Sequence, residues 1–350
     1  MTSLSPDKRA LTGIDDLIAA GLAPADRAAD LAAVAQDFQI RITTAMRQAI
    51  TAPGDGVAAQ FVPDPRELTI RDDELTDPIG DAAHSPVPGL THRYPDRVIL
   101  HVTRSCAVYC RFCFRREVVG ETGPLPQADL DAALAYIAAH PAITEVILTG
   151  GDPLTLSARR LAALLARLDA IAHVAVIRFH TRIPVVAPER ITPTLIDALR
   201  GLRAVPIVVL HINHADELTG QGGAALARLA DAGVMLLSQS VLLRGVNADA
   251  DTLAALFRAL IRHRVKPYYL HHCDRARGTS HFRTSIDEGQ AIIAALRGRI
   301  SGVCLPTYVL DLPGGHGKVP IGPNEAVQIA PGTWDIRDWQ GVRHRYDEAG

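Results

Sequence analysis

Three cysteines stand within eight residues, in the run Thr-Arg-Ser-Cys106-Ala-Val-Tyr-Cys110-Arg-Phe-Cys113-Phe-Arg-Arg. Three thiolates on one loop can hold three irons of a cubane cluster. Such clusters ordinarily take four Cys, so one iron would be left open to a small molecule. The competing chemistry is a structural zinc loop that borrows a distant His or Cys273. Zinc sites favour paired Cys-x-x-Cys or Cys/His spacings, whereas the gaps here are three residues and then two. A second candidate is the run Asp311-Leu-Pro-Gly-Gly-His-Gly-Lys318-Val-Pro. It is not a Walker A loop, because no Ser or Thr follows Lys318 and the glycine gap is wrong. Gly314, Gly315 and Gly317 let the backbone approach a planar ligand, and a partly desolvated lysine can condense with an aldehyde cofactor. A surface lysine in a turn fits the same residues.

Composition bounds what these groups can serve. With 48% hydrophobic and 21% charged residues, the 350-residue chain is not a disordered one. It has length for one large domain or two modest ones. A net charge of -2 provides no global basic field for nucleic acid or an anionic membrane. Five cysteines, an odd number with three clustered, suit metal chemistry in a reducing compartment better than a disulfide scaffold. The N-terminus is polar, with Asp7, Lys8 and Arg9, and lacks the apolar core of a signal peptide. No apolar run approaches the ~18 residues of a membrane span. A soluble cytoplasmic protein is expected.

The elements that must position the site are legible from periodicity. Ala-rich helical spacing covers residues 12–50, with a second short helix starting at Pro24. Seven prolines between 51 and 97 predict a wrapping, largely irregular arm. From 98 onward, β-branched runs at 98–102, 145–148, 174–179, 206–211, 234–243 and 268–271 alternate with helical segments at 127–139, 157–170, 192–200, 222–232, 249–263 and 287–297. Strands interleaved with helices predict a parallel sheet with right-handed crossovers. Near-continuous apolar strands imply helices on the outer face. Six such units are too few for a closed eight-stranded barrel, so the fold class expected is an α/β open partial (β/α)6 barrel; a further strand is placed at 303–310. The division expected is an arm over 1–97, a barrel core over 98–300 and a C-terminal segment over 301–350. Such folds carry chemistry at the C-terminal strand ends. The odd residues fall there: Cys106, Gly150-Gly151-Asp152, His180-Thr181-Arg182, His211-Ile-Asn-His214, Gln239 and Cys273-Asp274.

The Cys-x-x-x-Cys-x-x-Cys run closing the first of these strands resembles the signature of radical S-adenosylmethionine enzymes. The resemblance implies a [4Fe–4S] cluster on Cys106, Cys110 and Cys113, with the fourth iron chelated by the methionine amine and carboxylate. Phe112 would lie near the adenine, and Gly150, Gly151 and Asp152 beside the methionyl amine. The chain further resembles lysine 2,3-aminomutases, from about residue 38 to 345. Within that resemblance Lys318 is the pyridoxal phosphate lysine. Arg93 and Arg97, in Val87-Pro-Gly-Leu-Thr-His-Arg93-Tyr-Pro-Asp-Arg97, fall on positions that hold the cofactor phosphate. Arg115 falls on the residue that grips the substrate carboxylate, a role Arg116 could exchange with it. Asp274 and Asp311 fall on positions that bind the side-chain amine of lysine, and both are expected to be ionised near neutral pH. His211 and Gln239 match positions around S-adenosylmethionine, although either could be a satisfied strand-end polar residue. Singly, each Arg could be a solvated charge and each Asp a cap or turn residue.

The activity implied is an isomerase that moves the α-amino group of lysine to carbon 3, giving β-lysine by a 5′-deoxyadenosyl radical mechanism with pyridoxal phosphate. Glutamate or arginine as substrate fits two acids poorly. A one-electron reductant such as flavodoxin or ferredoxin is the partner implied, and supply of β-lysine for elongation factor P is the alternative role to free lysine metabolism. A cluster-bearing regulatory or electron-transfer protein is the reading of another class, against which Lys318, Asp274 and Asp311 stand. Longer family members continue into a cysteine-bearing segment that binds zinc at a subunit interface. Here no Cys follows Cys304 and Asp249 stands at the position of the partnering Cys. That zinc site is therefore expected to be absent, which weakens the case for a tetramer and leaves a homodimer open.

Overall fold

The computed structural model describes residues 9–120 and 123–348, so Asp7 and Lys8 lie outside it. The chain opens with α1 (Ile14–Ala19), α2 (Ala28–Asp37) and α3 (Thr44–Ala49), followed by loops with only short 3-10 helices as far as residue 84. A hairpin of β1 (Leu90–Tyr94) and β2 (Arg97–Thr103) leads into α4 (Gln127–Ala139), β3 (Glu145–Gly150), α5 (Ala158–Asp169) and β4 (Val176–Thr181). There follow α6 (Ile183–Val186), α7 (Pro193–Arg200), β5 (Val205–His211), α8 (Gly220–Asp231), β6 (Met235–Leu242), α9 (Ala250–Arg262) and β7 (Lys266–His272). The barrel finishes with α10 (Ile286–Leu296), β8 (Thr307–Leu312) and β9 (Gly317–Pro320). Strands β1 to β9 form one sheet in chain order. β2 through β8 are parallel, and β1 and β9 pair antiparallel at the two edges. The result is a nearly closed partial barrel with helices outside.

Local chemistry explains the elements. α9 starts at Asp249, whose carboxylate accepts from Thr252 N at 2.8 Å. It buries Leu253, Leu256, Phe257 and Leu260, the i, i+3, i+4, i+7 stripe of a helix with one covered face. Each such side chain taken from water contributes about 1.5–3 kcal/mol. α5 repeats the pattern with Ser157 as cap and Leu161, Leu164, Leu165 and Leu168 inside. In β3 the consecutive Val146, Ile147 and Leu148 are all buried, because helices cover one face and the barrel interior the other.

Three features differ from the sequence expectation. The strand placed at 303–310 begins at Thr307, because Gly302–Cys304 is a 3-10 turn and Pro306 lacks the N–H to continue a ladder backwards. The strand then joins β7 in parallel as a seventh barrel strand. The arm is not irregular throughout: β1 pairs with β2 around the Pro95-Asp96 turn. The C-terminal segment contributes β8 and β9 to the barrel sheet and only then folds into a separate antiparallel sheet of β10 (Ala326–Ala330), β11 (Thr333–Arg337) and β12 (Arg343–Asp347), whose exposed residues carry no clean alternation to reveal it. Among the described residues no helix is long and apolar enough to cross a membrane.

Candidate active site

The C-terminal ends of the parallel strands open into one cavity. Of the residues singled out from the sequence for cluster, cofactor or substrate, all but Arg97 and the alternative Arg116 line it. Each strand delivers a polar side chain near its end: Thr149 from β3, His180 from β4, His211 from β5, Gln239 from β6, His271 from β7 and Asp311 from β8. Register sets them level, since His211 stands opposite Gln239 in the ladder.

The cysteine loop is held from below by a buried ion network. Arg111, between Cys110 and Phe112, is fully buried and donates to both oxygens of Glu67, from Nε at 2.8 Å and Nη2 at 2.6 Å. Arg116 donates to the same carboxylate at 2.9 Å. Arg111 Nη1 also donates to Gln39 O, and Arg111 N to Gln60 O, which ties the loop to the arm. Leaving such a charge unpaired costs about 3–5 kcal/mol. The arm therefore fixes the loop rather than merely wrapping it, and Arg116 is engaged here rather than in the cavity. The other side of the loop lies against the end of β3. Gly150 has a positive φ of 106°, and a Cβ on Gly151 would lie 2.3 Å from Ser105 O. Only glycine allows that approach.

Burial pushes the thiols of Cys106 and Cys110 up, and that of Cys113 up to about 11. Three thiols on one short loop, all lining the cavity, could each ligate a different iron, as a cubane cluster with one open iron needs. The donor set fits the cluster.

Phe112 is buried, with its ring centroid 5.7 Å from that of His211. Burial holds His211 well below its usual pKa, so the ring is neutral. Asp152 lines the cavity, but its carboxylate is engaged within the protein. It accepts from Thr181 Oγ1 at 2.7 Å, Arg182 N at 2.8 Å and Leu154 N at 3.0 Å, bracing β3 against β4.

On the far side, Lys318 Nζ donates to Asp311 Oδ1 at 2.7 Å, and His271 Nδ1 lies 3.2 Å from the other oxygen. Burial alone would raise the Asp311 carboxyl; the His271 hydrogen bond and the Lys318 charge outweigh it and hold it well below the usual range. Asp274 behaves oppositely. Burial and then the neighbouring Asp311 charge push its carboxyl up to about 7. Asp311 is thus ionised near neutral pH, whereas Asp274 is only partly ionised there, first because it is buried and then because the Asp311 charge is near.

Arg115 lies against Asp81 of the arm, donating from Nη2 at 2.7 Å and Nε at 3.1 Å. Arg93 donates to the other Asp81 oxygen at 3.3 Å and to Ile79 O at 2.7 Å. Arg97 stands outside the cavity wall: its guanidinium donates to Asp96 at 2.7 Å and lies 3.8 Å over the Tyr94 ring. Tyr94 in turn accepts from Lys318 N at 2.8 Å, so Arg97 reaches the site only through that ring. Asp81, Glu67, His271 and Tyr94 received no role from the sequence. His271 has a signal in the polar residues at strand ends. Asp81 and Glu67 have none, since each is one acid in a Pro-rich arm.

A nearly closed parallel barrel with three cysteines on the loop after its first parallel strand is the arrangement of the radical S-adenosylmethionine enzymes. Residues 100–256 match the Radical SAM superfamily and residues 293–350 match the family Lysine-2,3-aminomutase. The chain is 43% identical over 297 residues to the L-lysine 2,3-aminomutase of Clostridium subterminale, covering 85% of this chain and 71% of that one. It is 40% identical to that of Escherichia coli K12, covering 77% and 78%. It is also 38% identical to the glutamate 2,3-aminomutase of Clostridioides difficile, covering 82% and 68%. The chain belongs to the lysine 2,3-aminomutase family of radical S-adenosylmethionine isomerases, a class that carries a [4Fe–4S] cluster and uses S-adenosylmethionine.

Proposed function

We propose that the protein is a lysine 2,3-aminomutase that converts L-lysine to β-lysine, with pyridoxal phosphate as its second cofactor. The observation that carries this reading is the pair Asp274 and Asp311 in one cavity with Lys318 and Arg115. A neutral or acidic substrate side chain would bring no cation to either acid, and sites built to pair a group reject analogues that lack it. A relative named for glutamate makes a direct comparison of the two substrates necessary.

Cys106, Cys110 and Cys113 would hold the cluster, and Gly150-Gly151 would give the methionyl amine its close approach. Pyridoxal phosphate would occupy the same cavity. Lys318 Nζ stands at its wall, and Arg93 Nε and His180 Nε2 are buried there with no hydrogen-bond partner among the described atoms. Arg93 would meet the phosphate, and Arg97 would stiffen Tyr94 beneath the lysine loop. When bound, these groups supply a 5′-deoxyadenosyl radical and a ring that delocalises the unpaired electron. A one-electron reductant of flavodoxin or ferredoxin type would serve the cluster. Arg115 would turn from Asp81 to the substrate α-carboxylate, where a planar fork fixes orientation. Asp311, which accepts from Lys318 Nζ at 2.7 Å, would be freed for the substrate's side-chain ammonium when Lys318 engages pyridoxal phosphate, with Asp274 completing the pair. His211, Gln239 and Phe112 would enclose the nucleoside and exclude water.

Anaerobic reconstitution is expected to give about four iron and four sulfide per chain. Replacing Cys106, Cys110 or Cys113 by Ala should remove iron and abolish cleavage of S-adenosylmethionine. Stoichiometric zinc without iron would refute the assignment.

The pH dependence has a definite sign. Below about 7, Asp274 is protonated in the free enzyme and offers no charge to an ammonium. Lysine kcat/KM should rise as pH increases to that value and then level off with respect to this group. Bound substrate cation lowers the same pKa, so the kcat limb should lie at lower pH. Asp274→Asn should remove the limb; a limb that persisted would mean another group causes it.

A further inference from the structure

We infer that Arg182 and Glu217 set the reduction potential of the cluster, with opposite signs, through the sulfur of Cys110. Arg182 follows β4 directly, and Asp152 fixes its backbone by accepting from Arg182 N at 2.8 Å. Its side chain is only 7% exposed. One guanidinium nitrogen, Nη1, donates to Cys110 Sγ at 2.9 Å. The other, Nη2, donates to Gln60 Oε1 at 3.0 Å and is ion-paired with Glu217 Oε2. The Phe61 ring lies 4.8 Å from the guanidinium carbon and closes the remaining face.

Glu217 is fully buried, and its second oxygen accepts from Asn213 N at 2.9 Å, His214 N at 3.0 Å and Gln60 Nε2 at 3.1 Å. The pair is thus rigid at both ends. A buried ion pair is costly to assemble, and a neutral thiol is a weak acceptor for a guanidinium. A thiolate that ligates iron is a full-strength acceptor for a charge-assisted bond. The geometry places a fixed cation on one ligand of the cluster and a fixed anion one guanidinium width further away.

Hydrogen bonds to sulfur and local net charge are the levers that set cluster potentials. Reduction adds negative charge, so the nearer Arg182 favours the reduced state and raises the potential. Glu217 opposes it from a greater distance. Arg182 is therefore a tuning residue that acts through Cys110, and it decides which one-electron donors can reduce the cluster. The inference rests on the cluster at the three cysteines and not on lysine as substrate.

The test is the midpoint potential of the reconstituted, full-length protein without S-adenosylmethionine, read by electron paramagnetic resonance during titration with low-potential one-electron donors. Arg182→Gln should shift the reduction equilibrium at least tenfold toward the oxidised cluster, about 59 mV downward for one electron. Glu217→Gln should shift it upward. Arg182→Lys, which keeps the charge and loses the fork, should lie between Arg182→Gln and wild type. If Arg182→Gln does not fold, the upward shift in Glu217→Gln and the partial downward shift in Arg182→Lys still decide the matter. Unchanged potentials, or shifts of the same sign in Arg182→Gln and Glu217→Gln with iron content intact, would overturn the inference. Absence of iron in the wild type would overturn the cluster reading itself, before any potential is read.

Discussion

Lysine turnover by Lys318→Ala is expected to be lost, because the variant has no amine at this position to condense with the aldehyde cofactor. The expectation starts from placement. Lys318 sits at the start of β9, the antiparallel edge strand paired with β8, so its side chain and that of Asp311 face each other across the ladder. Gly317 allows the Tyr94 hydroxyl to approach, since a Cβ there would lie 2.7 Å from it. The backbone of Lys318 is therefore held by Tyr94 and its amine by Asp311, while the side chain remains partly exposed to the cavity. The variant should keep its iron and still cleave S-adenosylmethionine. In the wild type, borohydride reduction with pyridoxal phosphate followed by peptide mapping should place the phosphopyridoxyl group on Lys318. Label on another lysine, or lysine turnover preserved in the Ala variant, would contradict the assignment.

Asp311→Ala and Asp274→Ala should each lower kcat/KM for lysine, and Asp311→Ala by more. Removing one partner of a desolvated charge pair costs about 2–5 kcal/mol, which corresponds to roughly 30- to 4,000-fold. Asp274 belongs near the lower end at neutral pH, because its carboxyl is only partly ionised before the ammonium arrives. Asp311 carries the larger effect: its carboxylate is ionised throughout the working range and also holds Lys318 and His271. The Asp274→Ala protein should retain iron and cofactor, so its loss reads on substrate alone. Equal and full activity in both variants would remove the two-acid argument, as would a wild type that isomerised an amino acid without an ε-amine as fast as lysine.

The two acids illustrate what sequence could and could not convey. Their membership in one site was legible, because Asp274 follows one barrel strand and Asp311 ends the next parallel one. Their different ionisation was not, since it arises from burial and from which of them Lys318 touches. The barrel was legible for a similar reason. Continuous apolar strands and four-residue-spaced helices are local patterns, and the six barrel helices fall within about two residues of their expected ends. β1 and the sheet of β10 to β12 were hidden, because an edge hairpin between prolines and a half-exposed sheet leave no such period. The cysteines were legible as a motif. What holds them, Arg111 on Glu67 and Arg182 on Glu217, depends on chain segments 35 and 44 positions apart meeting in space.

The central claim is best tested by giving the anaerobically reconstituted protein L-lysine and L-glutamate in equal amounts, with S-adenosylmethionine, pyridoxal phosphate and dithionite, and identifying the products by mass spectrometry after derivatisation. The account predicts β-lysine as the product, with glutamate left unchanged. Accumulation of β-glutamate in its place, or cleavage of S-adenosylmethionine with no amino shift on lysine, would contradict it.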